Sequence, residues 1–338
     1  MENGEIGIVS AHEGLDPIPK YSVLITSFRS LRFLSDSLGS VLKSTGPSFE
    51  LLFLENGSPE PEAEWIANNL ADARLRVFKV PHTLFFAGGI NYLARRARGE
   101  FVVMLNADTR VVPEWLAVLD QRLATTGFEG MVADIREASH PDVPTDVVSL
   151  DPIGLTHLER LGEKGATVDL VMGGCGLALR RDIYLEAGGL DENFRMYFED
   201  IDLCWRLGLQ GYRIGYAAGA IVYHEGQGSS LPTFFAWNRF RSRRNRIWSY
   251  VKNAGPWMLT CFLSTYLILS ILRIAAQILR GKFRLAWAET AGLAAAVLHL
   301  NVALSQRGAI QRARRDSDRG LARRGFLVNP FKRRSDKS

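Results

Sequence analysis

Four short apolar runs, "YSVLIT" (21–26), "FELLFLE" (49–55), "LRVFKV" (75–80) and "FVVMLNAD" (101–108), recur in the first third of this chain, each followed by a helical pattern. Strands this uniformly apolar have both faces covered. Alternation of strand and helix achieves that by laying helices on the two sides of a mainly parallel sheet. Right-handed crossovers place the carboxyl ends of such strands along one edge, where ligands gather. The pattern predicts an α/β fold with a single Rossmann-like, mainly parallel sheet. It also marks the strand-end sequences "TSF", "ENGS", "FFAGG" and "NADT" as the places to look for chemistry.

Helices are expected from about Leu31 to Ser44 and in "EAEWIANNL", "GGINYLARRA" and "PEWLAVLDQRLA". Residues 1–20 lack periodicity and read as a loose arm, and residues 136–168 as a loop excursion. The arm has no charged-then-apolar leader pattern, which predicts a chain that is not exported. Three cysteines without CxxC spacing argue against a disulfide scaffold and suit a reducing compartment. Charge is divided unevenly. Residues 1–238 hold 20 Lys and Arg against 32 Asp and Glu, net −12, whereas residues 239–338 hold 21 against 4, net +17.

Each strand-end motif has a plain structural reading beside a chemical one. "ENGSPE" is a polar turn, or a place where Glu55 accepts the ring N–H of a pyrimidine and Asn56 serves a ribose. In "NADT", alternation puts Asn106 and Asp108 on one side of the strand, as a cap or as oxygen ligands for Mg²⁺ or Mn²⁺ on a diphosphate. Gly88 and Gly89 of "FFAGGIN" stand ahead of a helix, where backbone can approach phosphate. There is neither GxGxxG nor GxxxxGK[ST], which sets aside dinucleotide oxidoreductases and P-loop NTPases. His224 ends the apolar run "AIVY", as a surface residue or a metal ligand. In "MYFEDIDLC" (196–204), a helix starting near Asp200 places Glu199 and Asp200 at its positive end, and Asp202 pairs with Arg206 four residues on.

The ordered set "VLITSFRS", "LLFLENGS", "FFAGGINYLARRARGEFVVMLNADTRV", "GGLDENFRMYFEDIDLCWRL" and "VYHEGQGSS", over roughly residues 21–250, resembles the family 2 glycosyltransferases of the GT-A fold. More narrowly it is similar to their bacterial rhamnosyltransferase-like and galactofuranosyltransferase-like members. The resemblance implies an inverting, metal-dependent transfer of a sugar, rhamnose first, from a dTDP- or UDP-linked donor to a saccharide or lipid-linked acceptor in cell-envelope polysaccharide synthesis. It implies Asp200 as catalytic base with Glu199 beside it. Thr26, Phe28, Glu55, Asn56, Gly88, Gly89, Asn91, Asn106 and Asp108 would line the donor nucleotide. Gly173, Gly174 and Tyr197 would form the acceptor pocket, and Asp108 and His224 would hold Mg²⁺ or Mn²⁺. The family usually has Asp at the position of Glu55 and of Asn106. The QxxRW signature of processive synthases is absent, which implies one sugar per encounter. The competing readings are a UDP-galactofuranose or other hexose transferase, and a catalytically weak nucleotide-sugar binding scaffold at the membrane.

Beyond residue 250 two uncharged runs, Asn253 to Leu272 and Thr290 to Gln306, are flanked by "RFRSRRNR", "RARRDSDRGLARR" and "FKRR". A spanning helix needs about 20 apolar residues, so the first run is borderline and the second short. Arginine clusters beside such runs suit anionic lipid, and the apolar length disfavours nucleic acid as the partner. The sequence thus predicts a catalytic domain over 21–250, a membrane-associated helical pair over 251–306 and a basic tail over 307–338. The expected location is the cytoplasmic face of the inner membrane, peripheral or monotopic.

Overall fold

Every residue of strands β2 (Tyr21–Ser27) and β3 (Phe49–Asn56) is buried, as their unbroken apolar sequences require. The computed structural model describes residues 6–10, 18–143, 147–154, 156–159, 172–226 and 235–327. With β1 (Ile6–Ser10), β4 (Leu75–Val80), β5 (Phe101–Asn106), β6 (Thr109–Val111), β7 (Gly130–Glu137), β10 (Leu177–Arg180) and β11 (Ile214–His224), they build a nine-stranded sheet ordered β1-β4-β3-β2-β5-β10-β7-β11-β6. Strands β4, β3, β2 and β5 are mutually parallel, and β7 is parallel to β11. Between these blocks β10 runs antiparallel to both neighbours. A separate hairpin pairs β8 (Val147–Leu150) with β9 (Thr156–Glu159).

Two expectations change here. The arm is not wholly loose, because Ile6–Ser10 pairs antiparallel with the otherwise open edge of β4. The excursion after residue 136 includes the β8–β9 hairpin, although residues 144–146, 155 and 160–171 lie outside the described residues.

Helices α1 (Leu34–Leu42), preceded by a 3-10 turn at Leu31–Phe33, α2 (Glu62–Asn69) and α4 (Trp115–Thr126) cover one face of the sheet. The other face is covered by α3 (Phe85–Arg96), α5 (Arg181–Glu186) and α6 (Glu199–Leu209). The same apolar cluster continues into the C-terminal helices α7 (Phe235–Asn253), α8 (Pro256–Leu279), α9 (Phe283–Leu298), α10 (Leu300–Ala313) and α11 (Asp318–Arg323). Trp248, Tyr250, Met258, Phe262 and Phe326 share it with Leu24, Leu52 and Met104 of the sheet. The expected boundary at residue 250 therefore falls inside one helix, α7, whose core residues belong to the catalytic body.

The basic segments are also not all turned to solvent. Arg241, Arg243 and Arg246 of α7 are buried, and Arg243 pairs with Glu289 of α9 at 2.5 Å. The expected tail folds back on α6. Arg324 donates to the carbonyls of Gly208 and Tyr212, and the backbone of Arg315 and Asp316 donates to the Leu209 carbonyl. The physical reason is that a helix ends in carbonyls without intrahelical partners, which cationic side chains and N–H groups satisfy. "FKRR" lies outside the described residues.

Helix α8 buries Met258, Phe262, Tyr266 and Ser270, four residues apart, and leaves Leu263, Leu267, Ile268 and Ile271 exposed. Among the described residues it is the single helix long and apolar enough to cross a membrane, while α9 and α10 form a pair bent by 57°.

Helix α6 is buried nearly all round, which brings Asp202 to zero exposure. Its carboxylate accepts from Arg206 Nε (2.9 Å), Lys252 Nζ (2.9 Å) and Asn253 Nδ2 (2.8 Å). The expected Asp202–Arg206 pair is present, and α7 doubles it. Replacing Asp202 by Asn leaves two buried cations short of their counter-charge. A loss of about 3–5 kcal/mol is expected in urea unfolding, whereas an exposed-pair value below 1 kcal/mol would show that the cluster does not hold α6 to α7.

Candidate active site

At the end of β2, Thr26 is buried and its Oγ1 has no partner among the described residues. Phe28 is 46% exposed beside it, at a turn fixed by Glu62 Oε1 accepting from Ser30 N (2.6 Å) and Glu60 Oε2 from Leu31 N (3.0 Å). The open aromatic face of Phe28 suits a nucleoside, whereas the Thr26 hydroxyl is enclosed.

The neighbouring acid faces elsewhere. Glu55 Oε2 accepts from Ala63 N at 2.7 Å, and Oε1 pairs with Lys79 Nζ at 3.0 Å. The carboxylate expected at the base thus serves the start of α2, whose first N–H groups need an acceptor. Asn56 accepts from Leu84 N (2.7 Å) and donates to Phe85 O (2.8 Å), fixing the entry to α3. Asn91, also expected at the nucleotide, donates to Leu190 O and Glu192 Oε1 and accepts from Tyr184 Oη, so its amide holds the loop before α6. Gly88 and Gly89 are not ahead of α3 but within it. A Cβ on Gly89 would meet Thr26 Oγ1 at 2.3 Å, so this glycine lets α3 press against β2.

Asn106, Asp108 and His224 converge as expected. Strands β6 and β11 pair His224 with Thr109, next to Asp108, and Glu225 N donates to the Asp108 carbonyl at 3.0 Å. His224 Nε2 lies 3.2 Å from Asp108 Oδ1 and 3.0 Å from Asn106 Nδ2. A carboxylate and an imidazole this close fit a Mn²⁺- or Mg²⁺-type ion that completes its shell with ligand and water oxygens. Among the described residues no third acid, cysteine or histidine joins them.

Asp200 stands at the first turn of α6, with Gly174 against it. A Cβ on Gly174 would lie 3.0 Å from Asp200 Oδ2. Burial raises the Asp200 pKa above the usual carboxylate range, opposed by the backbone N–H groups of Ile201, Asp200 and Gly174. Ile201 N donates to Oδ1 at 2.8 Å. Glu199 is 6% exposed, and burial followed by the Asp200 charge pushes its carboxyl up to about 8. Burial thus pushes both adjacent carboxyls up, Glu199 to about 8, so that Glu199 holds its proton at neutral pH. The next residue after Gly174, Cys175, touches the Asn106 backbone and sits near the Asp108 charge. Consecutive residues of one turn therefore adjoin Asp200 and the Asn106–Asp108–His224 group.

The sequence profile of the family described as "Glycosyltransferase like family 2" matches residues 19–251. This chain belongs to that family. Its sequence is 28% identical over 256 residues to the O-antigen biosynthesis protein RfbC of Myxococcus xanthus, covering 67% of this chain and 19% of that one. A shorter match, 41% over 66 residues, links it to the N-acetylglucosaminyl-diphospho-decaprenol L-rhamnosyltransferase of Mycobacterium tuberculosis, covering 20% of this chain and 21% of that one. The aligned part thus spans about a fifth of the length of either relative. In fold it resembles the mannosyltransferase PcManGT of Pyrobaculum calidifontis, solved with GDP-Man and Mn²⁺, at 14% identity and a TM-score of 0.53, covering 83% of this chain and 88% of that one.

In this family 2 glycosyltransferase, the described non-glycine residues with left-handed backbone are Arg29, Phe85, Arg195, Tyr197 and Phe198. They occupy the β2 turn, the α3 entry and the approach to Asp200. Strain of this kind persists only where surroundings enforce it, and it gathers at functional sites. On the approach to Asp200 the enforcing residue is Asn245 of α7, whose Nδ2 donates to the carbonyls of Phe194 (3.0 Å), Met196 (3.0 Å) and Tyr197 (2.7 Å). Sequence reasoning missed Asn245 and also Arg241, which is 2% exposed and sits by Glu199 with Nε and Nη1 unpartnered among the described residues. The available signal was helical spacing, since residues 238, 241, 245 and 248 follow one face of α7.

An unfolded glutamate releases its proton near 4.5, while folded Glu199 keeps it to about 8. This contribution to stability is full below pH 4.5 and is lost as pH rises to about 8. Urea unfolding at pH 5 and pH 8 should show the decline, and Glu199→Gln should flatten it. An unchanged slope in that variant would remove Glu199 as its source.

Proposed function

We propose that this glycosyltransferase is inverting and non-processive, and transfers a hexose, rhamnose first, from a dTDP- or UDP-linked donor to a saccharide or lipid-linked acceptor in cell-envelope polysaccharide synthesis. The observation that carries the reading is the Gly174–Cys175 turn, which touches Asp200 on one side and the Asn106–Asp108 strand end, paired with His224, on the other. The rhamnosyltransferase and O-antigen names of its relatives support the sugar and the setting. The exposed apolar face of α8 supports a place on the cytoplasmic surface of the inner membrane, against anionic lipid.

In this reading Asp200 takes the proton of the acceptor hydroxyl as its oxygen attacks the anomeric carbon from the side opposite the nucleotide. A positioned base of this kind contributes about 10²–10⁴-fold. Protonated Glu199 adds no second negative charge beside it. Tyr197, Phe198 and Ile201 exclude water, which protects the donor from hydrolysis. Phe28 receives the nucleoside. Asp108 and His224 would hold Mg²⁺ or Mn²⁺, which when bound offsets the charge of the diphosphate.

Asp200→Asn should lower transfer by at least about 10²-fold while dTDP or UDP still raises the melting temperature. Normal turnover in that variant would refute the assignment. The metal assignment has its own measurement. Mn²⁺ should increase the thermal stabilisation given by the nucleoside diphosphate, and His224→Ala and Asp108→Asn should each abolish that increment. An increment that survives in both variants places the metal elsewhere.

A further inference from the structure

Arg239, Arg243 and Arg246 follow one face of α7 at intervals of four and three, and none has a role in the transfer just described. With Tyr197, Asn238 and Ser242 they line a cavity of about 330 Å³. Arg243 and Arg246 are drawn into the protein, at 8% and 9% exposure, where isolated cations are costly. Among the described residues Glu289 is the one carboxylate paired with Arg243, and it also contacts Arg239 at 3.3 Å. Arg246 has a carbonyl, that of Gly154, and its Nε is buried without a partner among the described residues. Among the described residues the wall thus sets three guanidinium groups against one carboxylate, and the buried Arg246 Nε is a donor still unengaged. That chemistry selects an anion with several oxygens, and guanidinium groups match phosphate in two-point geometry.

Position narrows the ligand. Tyr197 in the wall precedes Asp200 by three residues, and the Arg246 guanidinium stacks 5.0 Å from the Phe198 ring. On the other side Arg243 donates to Tyr266 of α8 at 3.1 Å, and the outer face of α8 exposes Leu263, Leu267 and Ile271. The cavity thus adjoins the turn that carries Asp200 on one side and the helix α8 that carries an exposed apolar face on the other.

Resting on the lipid-acceptor reading above, we propose that this cavity binds the diphosphate through which the acceptor sugar is joined to its lipid. The donor's diphosphate belongs at Asp108 and His224, neither of which lines this cavity.

Binding of farnesyl diphosphate to the full chain in detergent, followed by calorimetry, tests this with farnesol and phosphatidylglycerol vesicles as controls. Farnesyl diphosphate should bind at least about tenfold more tightly than farnesol, and Arg239→Gln and Arg246→Gln should each weaken it about tenfold, the loss of a hydrogen bond to a charged group. UDP with Mn²⁺ should not displace it. Arg239 stands at the cavity's more open side and Arg246→Lys keeps the charge, so these two variants decide the matter if Arg246→Gln melts early. The proposal is overturned if farnesol binds equally well, if UDP competes, or if the folded variants bind unchanged. It is also overturned if the vesicles bind as tightly and weaken in parallel, since the site then reads any anionic headgroup. Transfer of labelled sugar into organic-extractable lipid by membranes separates the two readings. Transfer that persists unchanged in the variants refutes the cavity alone, whereas no transfer by the wild type refutes the lipid acceptor and the cavity with it.

Discussion

The buried carboxylate of Asp202 is the point on which the active end of the molecule depends. It lies one turn into α6, directly after the Glu199–Asp200 pair, and ties that helix to Lys252 and Asn253 at the end of α7. Through Arg206 it also reaches the carbonyls of Ala187 and Gly189, and through Lys252 it reaches Asp191. One charge cluster thereby sets the height of α6, the path of the loop before it and the docking of the C-terminal helices. Removing any member leaves its partners charged in a dry interior, which makes the arrangement all-or-none.

That clamp lets the protein hold a strained turn beside Asp200. Tyr197 and Phe198 keep left-handed backbone at φ 70° and 73°, and Asn245 collects the carbonyls this conformation turns outward. The C-terminal helices are thus part of the device that positions Asp200, and at the same time carry the apolar face of α8 to the surface. The same helix, α7, presents residues to the catalytic turn, to the arginine cavity and to the core.

Much of the catalytic half was legible in the chain. The apolar runs at 21–26, 49–55, 75–80 and 101–108 became β2 to β5 because an unbroken apolar strand has no stable place except between two helical layers. Asp202 and Arg206 met because i and i+4 are neighbours on a helix. Asp108 and His224 met, as the ordered motifs implied. Less legible were Glu55, Asn56 and Asn91, whose polar groups serve helix starts and loops. A strand-end acid looks the same in sequence whether it faces a ligand or the N–H groups of the next helix. The arginines of α7 misled for a related reason, since composition records how many charges a segment has and not which way they face.

By itself the sequence determined the layered α/β body, the order of its strands' active ends and the family to which the chain belongs, because these follow from local periodicity and from motifs that are short and contiguous. Only the tertiary structure decided which side chains remain available for chemistry. The partners of Glu55, the hold of Asn245 on the strained turn and the inward face of α7 arise from residues 8 to 92 positions apart in the chain. Such contacts depend on burial and on the competition among donors for each acceptor, which exist only once the layers have packed.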